Sequence, residues 1–260
     1  MTIRLGSVTR TETPAAIDDE RAYPRGIGAF HIRDGREIIA DLLPHADVGT
    51  VRTLLAGRLI GYLLRQRGYL ALHASAIAID GKAALFLGES GAGKSTTAAA
   101  CYSRGHQVLA DDVAAVCLAD RGVELQPAWP GLRLLDDSRK AIGTQAQPAD
   151  FLADKYLYRL SSAGKAGAVP VKRIYFLDYH SDGELSVQSS AVRGVSAVAL
   201  LNAHSLVRSW RADTRLRQVN LDRAAAVAGA APVRRLARSR TLHLLPRLVD
   251  FVEAEMMAND

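Results

Sequence analysis

The stretch GESGAGKST, residues 88–96, decides the fold of this chain. Gly88, Gly93, Lys94 and Ser95 have the spacing G-x-x-x-x-G-K-[ST], in which backbone N–H groups surround phosphate oxygens. The lysine of this pattern reaches the terminal phosphates of a nucleotide, and the hydroxyl meets Mg²⁺. The motif therefore predicts a loop that holds nucleotide phosphates.

The segments on both sides of the motif support this interpretation. AALFLG (83–88) has the composition of a buried strand, and Ala-rich STTAAACYSRG (95–105) favours a helix that ends at its glycine. A flexible glycine turn is the alternative, and the order of strand, loop and helix argues against it. The polar residues that flank the motif also suit helix capping. The candidate phosphate-binding residues are Gly88, Ser90, Gly91, Ala92, Gly93, Lys94, Ser95 and Thr96.

Length and composition predict a globular protein of one or two domains. The chain has 260 residues, 48% of them hydrophobic and 23% charged, which suffices for a sizeable core. No apolar stretch approaches the about 18 residues of a membrane span, and Arg58 interrupts the apolar segment 54–64. The first residues lack the apolar centre of a secretory signal. We therefore expect a cytoplasmic protein without a membrane partner.

The net charge of +6 raises the question of an acidic partner. Arginines are concentrated in the C-terminal third, but no stripe of interleaved aromatic residues accompanies them. We therefore expect solvated basic faces and no nucleic-acid partner.

Residues 1–70 are predicted to form an N-terminal extension of strands and a helix. AFHIRDGREIIADLL (29–43) is typical of two strands around Asp34 and Gly35, a pair that favours hairpin turns. From 47 to 66 the apolar residues recur at helical spacing, and a glycine follows as a stop signal.

Residues 71–260 are predicted to form the phosphate-loop domain, of the α/β class with α+β as the alternative. LALHASAIAID (70–80) is expected to be one strand, paired by a hairpin with the strand before the loop. HQVLADDVAAVCL (106–118) predicts a strand that two acids interrupt, and many glycines and prolines make 119–150 loop-rich. A strand or short helix is predicted at 151–160 and a flexible connection at 161–170. A strand at 171–179 is expected to turn at Asp182–Gly183 and to pair with the strand ELSVQ (184–188). The remaining predictions are helices at 191–206 and 222–229, a strand at 232–239 and a closing helix at 241–257.

Two adjacent acids provide the predicted catalytic centre. Asp111 and Asp112 end an apolar strand, seventeen residues after Lys94. An acid beside a phosphate loop can hold Mg²⁺, and a second acid can accept a proton from an attacking hydroxyl. Surface acids at a turn are the alternative interpretation. The candidate metal ligands are Ser95, Asp111 and Asp112, and which of the two acids is the base stays open.

Three further residues are candidates for this site. His73 lies on a strand expected beside the one that feeds the loop, so its ring could take part in acid/base chemistry or contact a phosphate. Arg133 and Lys155 follow the acids and could offset charge on a transferring phosphoryl group. A structural histidine and two surface cations are the alternatives.

The segments LHASAIAIDG, GESGAGKST and RGHQVLADDV together resemble the catalytic domain of HPr kinase/phosphorylase and of the related serine kinases of lasso-peptide biosynthesis. The resemblance is specific in residues 71–116. It implies a core like the C-terminal domain of HPr kinase and nucleotide binding by residues 88–96. It also implies metal binding and base catalysis shared by Asp111 and Asp112, and an active-site position for His73. The family resemblance is compatible with a homo-oligomer.

One segment of the chain departs from the pattern of HPr kinase/phosphorylase. VELQPAWPGLRLL (123–135) does not reproduce the E-[IV]-R-G-[LI]-G segment of HPr kinase/phosphorylase, while the GYLALHASAIAIDG lead-in (68–81) looks more like the peptide-tailoring kinases. The resulting hypothesis is a kinase that uses ATP and Mg²⁺ and phosphorylates a serine of a peptide, namely the C-terminal serine of a lasso-peptide precursor. The alternatives are an HPr-type or small-molecule kinase and a nucleotide-dependent binding or regulatory ATPase. A transporter ATPase is disfavoured because the chain contains no LSGGQ-like segment.

Overall fold

The predicted hairpin at Asp34 and Gly35 is confirmed, and it belongs to a four-stranded sheet. Both turn residues have positive φ, and the strands on either side pair antiparallel. The computed structural model describes residues 1–9, 19–128, 131–141, 148–152, 155–160, 167–180, 186–207 and 214–258. The strand order of this sheet is β1-β4-β3-β2. Its strands are β1 (Thr2–Leu5), β2 (Asp19–Ala22), β3 (Gly28–Arg33) and β4 (Glu37–Leu42).

The predicted helix at 47–66 is also confirmed, with one irregular turn. It consists of α1 (Val48–Leu54), a π-helical segment (Leu55–Leu59) and α2 (Ile60–Gln66). The Asp47 side chain accepts a hydrogen bond of 2.7 Å from the backbone N–H of Thr50, and so caps the helix at the predicted start. One face of the helix packs on the four-stranded sheet through Leu59, Tyr62 and Leu63, which meet Phe30, Ile32 and Ile38. The domain division at residue 70 stays a prediction.

The main sheet has nine strands and carries the glycine loop. Seven strands follow the order β5-β9-β10-β14-β7-β6-β8, and β16 pairs with β14 and with β15. The strands β7, β14 and β16 run parallel, as expected for a nucleotide-binding α/β sheet. The strands are β5 (Leu70–Leu72), β6 (Ser75–Ile79), β7 (Lys82–Leu87), β8 (Gln107–Ala110), β9 (Ala114–Ala119), β10 (Gly122–Gln126), β14 (Val169–Tyr179), β15 (Gln188–Val192) and β16 (Val233–Arg238).

Helices cover both faces of this sheet. Alternate residues of β14 face opposite ways, so that Tyr175 and Leu177 join one core cluster and Ile174 the other. The helices α3 (Lys94–Ser103) and α7 (Leu245–Met257) supply the first cluster. The helices α5 (Gly194–Ala203) and α6 (Thr214–Ala230) supply the second. This arrangement confirms the predicted α/β class.

A small antiparallel sheet follows the main strands, in the region predicted to be loop-rich. That prediction is wrong over much of 119–150, because short strands fit between the glycines and prolines, and β9 and β10 form a hairpin there. The small sheet has the order β11-β13-β12, so the strand interpretation of 151–160 is the correct one. Its elements and the helix between them are β11 (Gly131–Leu134), α4 (Asp136–Ala141), β12 (Pro148–Leu152) and β13 (Lys155–Arg159).

Two other predictions about strands are wrong. The segment 70–80 is not one strand, because the backbone N–H of His73 donates to the carbonyl of His204 (2.8 Å) and the chain changes partners there. β5 pairs with β9, whereas β6 pairs with β7 and β8. β15, which includes the end of the predicted ELSVQ strand, pairs with β16 and not with β14, because β16 occupies that position. The predicted turn at 182–183 and the predicted connection at 161–166 lie outside the described residues.

The remaining helices correspond to predictions with shifted ends. α5 is shorter than the predicted 191–206 because its first residues belong to β15, and α6 begins before the predicted residue 222. The closing helix α7 has Pro246 in its first turn, where a missing N–H removes no helical hydrogen bond. No helix among the described residues is long and apolar enough to cross a membrane.

Candidate active site

The glycine loop connects β7 to α3 in a backbone shape that requires glycine at two positions. Gly93 has φ +85° and is the residue before the first turn of α3. A Cβ on Gly93 would collide with the guanidinium of Arg238. At Gly88, a Cβ would lie 2.9 Å from Ala92 Cβ and 3.0 Å from the carbonyl oxygen of Leu177. The loop is therefore folded tightly against the neighbouring strands.

Two side chains from other strands donate hydrogen bonds to carbonyl groups of this loop. Arg238, at the end of β16, is buried and donates from Nη2 to the carbonyl of Ala92 at 2.9 Å. The Tyr179 hydroxyl, at the end of β14, donates to the carbonyl of Gly91 at 2.8 Å. Arg238 also lies 5.1 Å from the centre of the Tyr179 ring. Burial lowers the pKa of the Arg238 guanidinium from its ordinary value. Sequence reasoning missed both residues, because they reach the loop only through the strand order.

The polar residues of the motif differ in what they contact. Lys94 is buried, and its Nζ donates to the carbonyls of Gly88 (2.8 Å) and Glu89 (3.1 Å), which keeps the ammonium group at the loop. The Thr96 hydroxyl is hydrogen bonded to the Ser138 hydroxyl at 2.9 Å, so it joins α3 to α4. Ser90 is exposed at the tip of the loop.

Asp111 lies in the connection between β8 and β9, directly beside the loop. Its Oδ1 accepts from the Ser75 hydroxyl at 2.6 Å, and its Oδ2 accepts from the backbone N–H of Arg133 at 2.8 Å. The Ser95 side chain also lies near this carboxylate and lowers its pKa. The structure thus places the acid beside the hydroxyl of the motif that is expected to meet Mg²⁺. Ser75 is the partner that sequence reasoning missed.

Asp112 has a left-handed backbone conformation, and its side chain contacts Arg133. Its φ is +66°, a region that Asp and Asn enter more readily than other non-glycine residues. Its Oδ2 accepts from Nη1 of Arg133 at 2.8 Å. His73 Nδ1 donates to the Asp112 carbonyl at 3.1 Å, which assigns the proton to that ring nitrogen. His73 and Arg133 therefore hold Asp112 from its backbone and from its side chain.

The electrostatics of the pair are unfavourable for two charges. Burial and, to a smaller extent, the negative charge of Asp112 together raise the pKa of Asp111 to about 6. The hydrogen bonds from Ser75 and from the Arg133 backbone act in the opposite direction, as does the nearby Ser95 hydroxyl. Two close carboxylates of this kind form a site that a cation would stabilise.

The donor set fits Mg²⁺. This ion prefers oxygen ligands, keeps several waters and is commonly held by one or two carboxylates together with substrate phosphates. Asp111, Asp112 and the Ser95 hydroxyl provide such a set. No cluster of three or more His, Cys, Asp or Glu side chains able to hold a metal occurs in the described part of the chain.

A cleft of about 400 Å³ opens beside the acid pair. Asp111, Asp112 and Arg133 line one end of it. The cleft gives a substrate access to the two carboxylates. Of the predicted site residues, His73, Arg133 and both acids are therefore brought together with the loop. Lys155 begins β13, but its side chain lies outside the described ones.

Comparisons with known proteins give a likeness to solved structures. No protein-family model matches the chain, and no curated protein matches it. Among solved structures, the chain is similar to the Hpr(Ser) kinase/phosphatase from Coxiella burnetii, with 16% sequence identity and a TM-score of 0.35. The likeness covers 72% of this chain and 97% of that one. Because the identity and the TM-score are both this low, the proposals below rest on the sequence motifs and on the residues of the site.

Proposed function

We propose that this protein is an ATP-dependent kinase that transfers the γ-phosphoryl group to a serine hydroxyl of a peptide. One observation carries the proposal: Asp111 lies beside Ser95 of the phosphate loop, while the adjacent Asp112 lines an open cleft. A nucleotide on the loop and a hydroxyl in the cleft would then approach the same pair of carboxylates. This is the arrangement that phosphoryl transfer to a second substrate requires.

In this mechanism the loop residues position the phosphates. The backbone N–H groups at the start of α3 and the Lys94 ammonium would bind the β- and γ-phosphate oxygens. Ser95, Asp111 and Asp112 would hold Mg²⁺, which when bound neutralises phosphate charge. The bracing of the loop by Arg238 and Tyr179 keeps these donors in place, so that little reorganisation is needed at the moment of transfer.

We assign the proton transfer to Asp112 and the closer contact with the loop to Asp111. The acceptor oxygen would form its bond to the γ-phosphorus as the bond from that phosphorus to the bridging oxygen breaks, and the hydroxyl proton would pass to the Asp112 carboxylate. Both Asp111 oxygens are already hydrogen bonded, to Ser75 and to the Arg133 backbone, whereas Asp112 meets Arg133 through only one oxygen in the described contacts.

Arg133 and His73 have supporting roles in this proposal. The Arg133 guanidinium orients Asp112 and brings a positive charge to the place where the transferring phosphoryl group would lie. His73 acts through the Asp112 carbonyl and stabilises its left-handed backbone. It is therefore a positioning residue in this mechanism and not an acid or base.

The acceptor we propose is a peptide, specifically the C-terminal serine of a lasso-peptide precursor. The support comes from the sequence: segments 71–116 resemble the lasso-peptide kinases, and 123–135 lacks the segment that marks HPr kinase/phosphorylase. The open cleft beside Asp112 also has room for part of a peptide chain.

Mass spectrometry of a serine-ended lasso precursor, incubated with the protein, ATP and Mg²⁺, tests this function. We expect a gain of one or more phosphate masses that disappears in Lys94→Ala and in Asp112→Asn. Lys82→Ala is the matched control, because Lys82 is exposed at the start of β7 and away from the loop. Phosphate transfer only to HPr or to a small hydroxylated molecule would contradict the peptide acceptor. ATP consumption without any transfer would instead indicate a hydrolysing regulatory ATPase.

A further inference from the structure

The cleft beside the acid pair has an apolar wall that phosphoryl transfer does not need. Ala56 of the π-helical segment and Ile60 and Leu64 of α2 form one side of it. Their spacing of four residues puts them on one face of the helix. Val113, Ala115, Pro127 and Leu157 are further apolar residues that line the cleft.

This helix therefore has two apolar faces with different partners. Leu59, Tyr62 and Leu63 are buried against the four-stranded sheet and complete the N-terminal core. Ile60 and Leu64 are only half-buried, and they face the cleft. A helix that served its own core alone would carry polar residues on this second face. The second face is consequently available to a ligand.

Two features fix the position of this wall relative to the acids. Ala56 belongs to the π-helical segment, and segments of this kind inside α-helices occur frequently at functional sites. Arg223 of α6 donates from Nη1 to the carbonyls of Arg65 (2.8 Å) and Tyr69 (3.2 Å), which fastens the end of α2 to the main domain. The apolar wall and the carboxylates thus belong to one preformed cavity.

We propose that this cleft binds an apolar side chain of the acceptor peptide, at the residue that precedes the phosphorylated serine. The inference rests on the proposed function, since it places the serine hydroxyl at Asp112. The charged end of the cleft (Asp111, Asp112 and Arg133) suits the hydroxyl, and the wall of Ala56, Ile60 and Leu64 suits a leucine-sized group next to it. The N-terminal extension then serves acceptor selection and not nucleotide binding.

Two serine-ended peptides that differ only in the preceding residue, leucine or asparagine, test this inference. Leucine and asparagine have similar shapes, so the comparison isolates polarity. Binding is measured by isothermal titration with Mg²⁺ and a non-hydrolysable ATP analogue, and phosphotransfer by kcat/KM with ATP. We expect the leucine peptide to bind about tenfold tighter or more, the range for one apolar group in a hydrophobic pocket.

A variant that fills the cleft provides the second arm. Ala56→Leu should remove most of the preference for leucine, because the added side chain occupies the space of the ligand. Ala225→Leu, at an exposed position of α6, makes the same change away from the cleft and should keep the preference. The affinity for the ATP analogue, measured for each variant, shows that the phosphate loop is still folded.

The outcomes separate this inference from the proposed function. Tighter binding of the leucine peptide without phosphate transfer would support the apolar cleft and overturn the kinase assignment. Transfer to both peptides at equal kcat/KM, unaffected by Ala56→Leu, would overturn the cleft and support the kinase. Neither binding preference nor transfer would overturn both.

Discussion

Asp111→Asn should abolish phosphotransfer and, at the same time, make the protein more stable near neutral pH. The wild-type carboxylate is charged there, although burial and the charge of Asp112 both oppose ionisation. Asparagine has nearly the same shape and carries no charge. Its oxygen can accept from the Arg133 backbone N–H, and its amide can donate to the Ser75 hydroxyl, so both hydrogen-bonded partners of Asp111 remain satisfied.

The size of this effect follows from the pKa. The pKa of Asp111 is about 6 in the folded protein and has the ordinary value of 3.8 without these surroundings. A raised carboxyl pKa contributes stability that is fully present below pH 3.8 and is lost as the pH rises through 6. The difference between the two pKa values corresponds to an upper limit of about 3 kcal/mol. We therefore expect Asp111→Asn to gain about 1–3 kcal/mol above pH 6, and progressively less towards pH 4.

Thermal unfolding of both proteins without nucleotide or Mg²⁺, at several values between pH 4.5 and 8, measures this gain. For a chain of this size, each kcal/mol raises Tm by about 2–4 °C. Asp120→Asn, in the exposed turn after β9, makes the same chemical change at the surface and should show no such pH-dependent gain. A variant less stable than the wild type at pH 8, or a Tm difference that does not change with pH, would refute the reasoning.

Three further predictions concern the loop, the acid pair and the N-terminal core. Gly105→Ala places a side chain at positive φ and should destabilise the protein by about 1–2 kcal/mol in denaturant titrations. Gly93→Ala should destabilise it more, because its Cβ would also collide with the Arg238 guanidinium, and only this variant should weaken ATP binding, since nothing crowds Gly105. Equal ATP affinities of the two variants would contradict the close packing of the loop. His73→Phe should lower kcat and leave KM for ATP nearly unchanged, because it removes the hydrogen bond to the Asp112 carbonyl. A large rise in KM for ATP would instead indicate that His73 contacts a phosphate of the nucleotide directly. Arg65→Ala should destabilise the protein by about 3–5 kcal/mol in urea unfolding, because it leaves Glu20 buried without its ion-pair partner, and a loss below about 1 kcal/mol would show that Glu20 reaches water.

The parts of the site that could be predicted are those that the chain builds from consecutive residues. The phosphate loop needs only one glycine-rich turn between a strand and a helix, so its residues and its neighbours were visible in the sequence. The two acids were found because they follow an apolar strand directly. In both cases the local pattern and the final structure depend on the same few residues.

The partners that cross between strands could not be predicted. Arg238 and Tyr179 brace the loop because β16 lies beside β14 and β14 beside β7, and no local signal specifies this parallel order. The same insertion of β16 makes the prediction for ELSVQ wrong, since a turn signal favours pairing with the preceding strand. Ser75 reaches Asp111 because β6 pairs with β8, with Ala76 opposite Ala110.

The two acids share a property that ties their structure to a role. Asp112 has a positive φ, which is rarely populated by residues other than glycine, and Asp111 bears a charge that its surroundings oppose. Neither feature is required by the packing of β8 and β9, whose connection could turn with a glycine or an asparagine. Both features are nevertheless held in place, by His73 and the Arg133 side chain on Asp112 and by Ser75 and the Arg133 backbone on Asp111. A dication between the carboxylates would offset the charge repulsion, and the turn at Asp112 directs its side chain to the cleft. The two energetically unfavourable features, the backbone of Asp112 and the charge of Asp111, therefore lie where a metal and an acceptor hydroxyl would meet. This arrangement is expected of a phosphotransfer site and not of a surface turn.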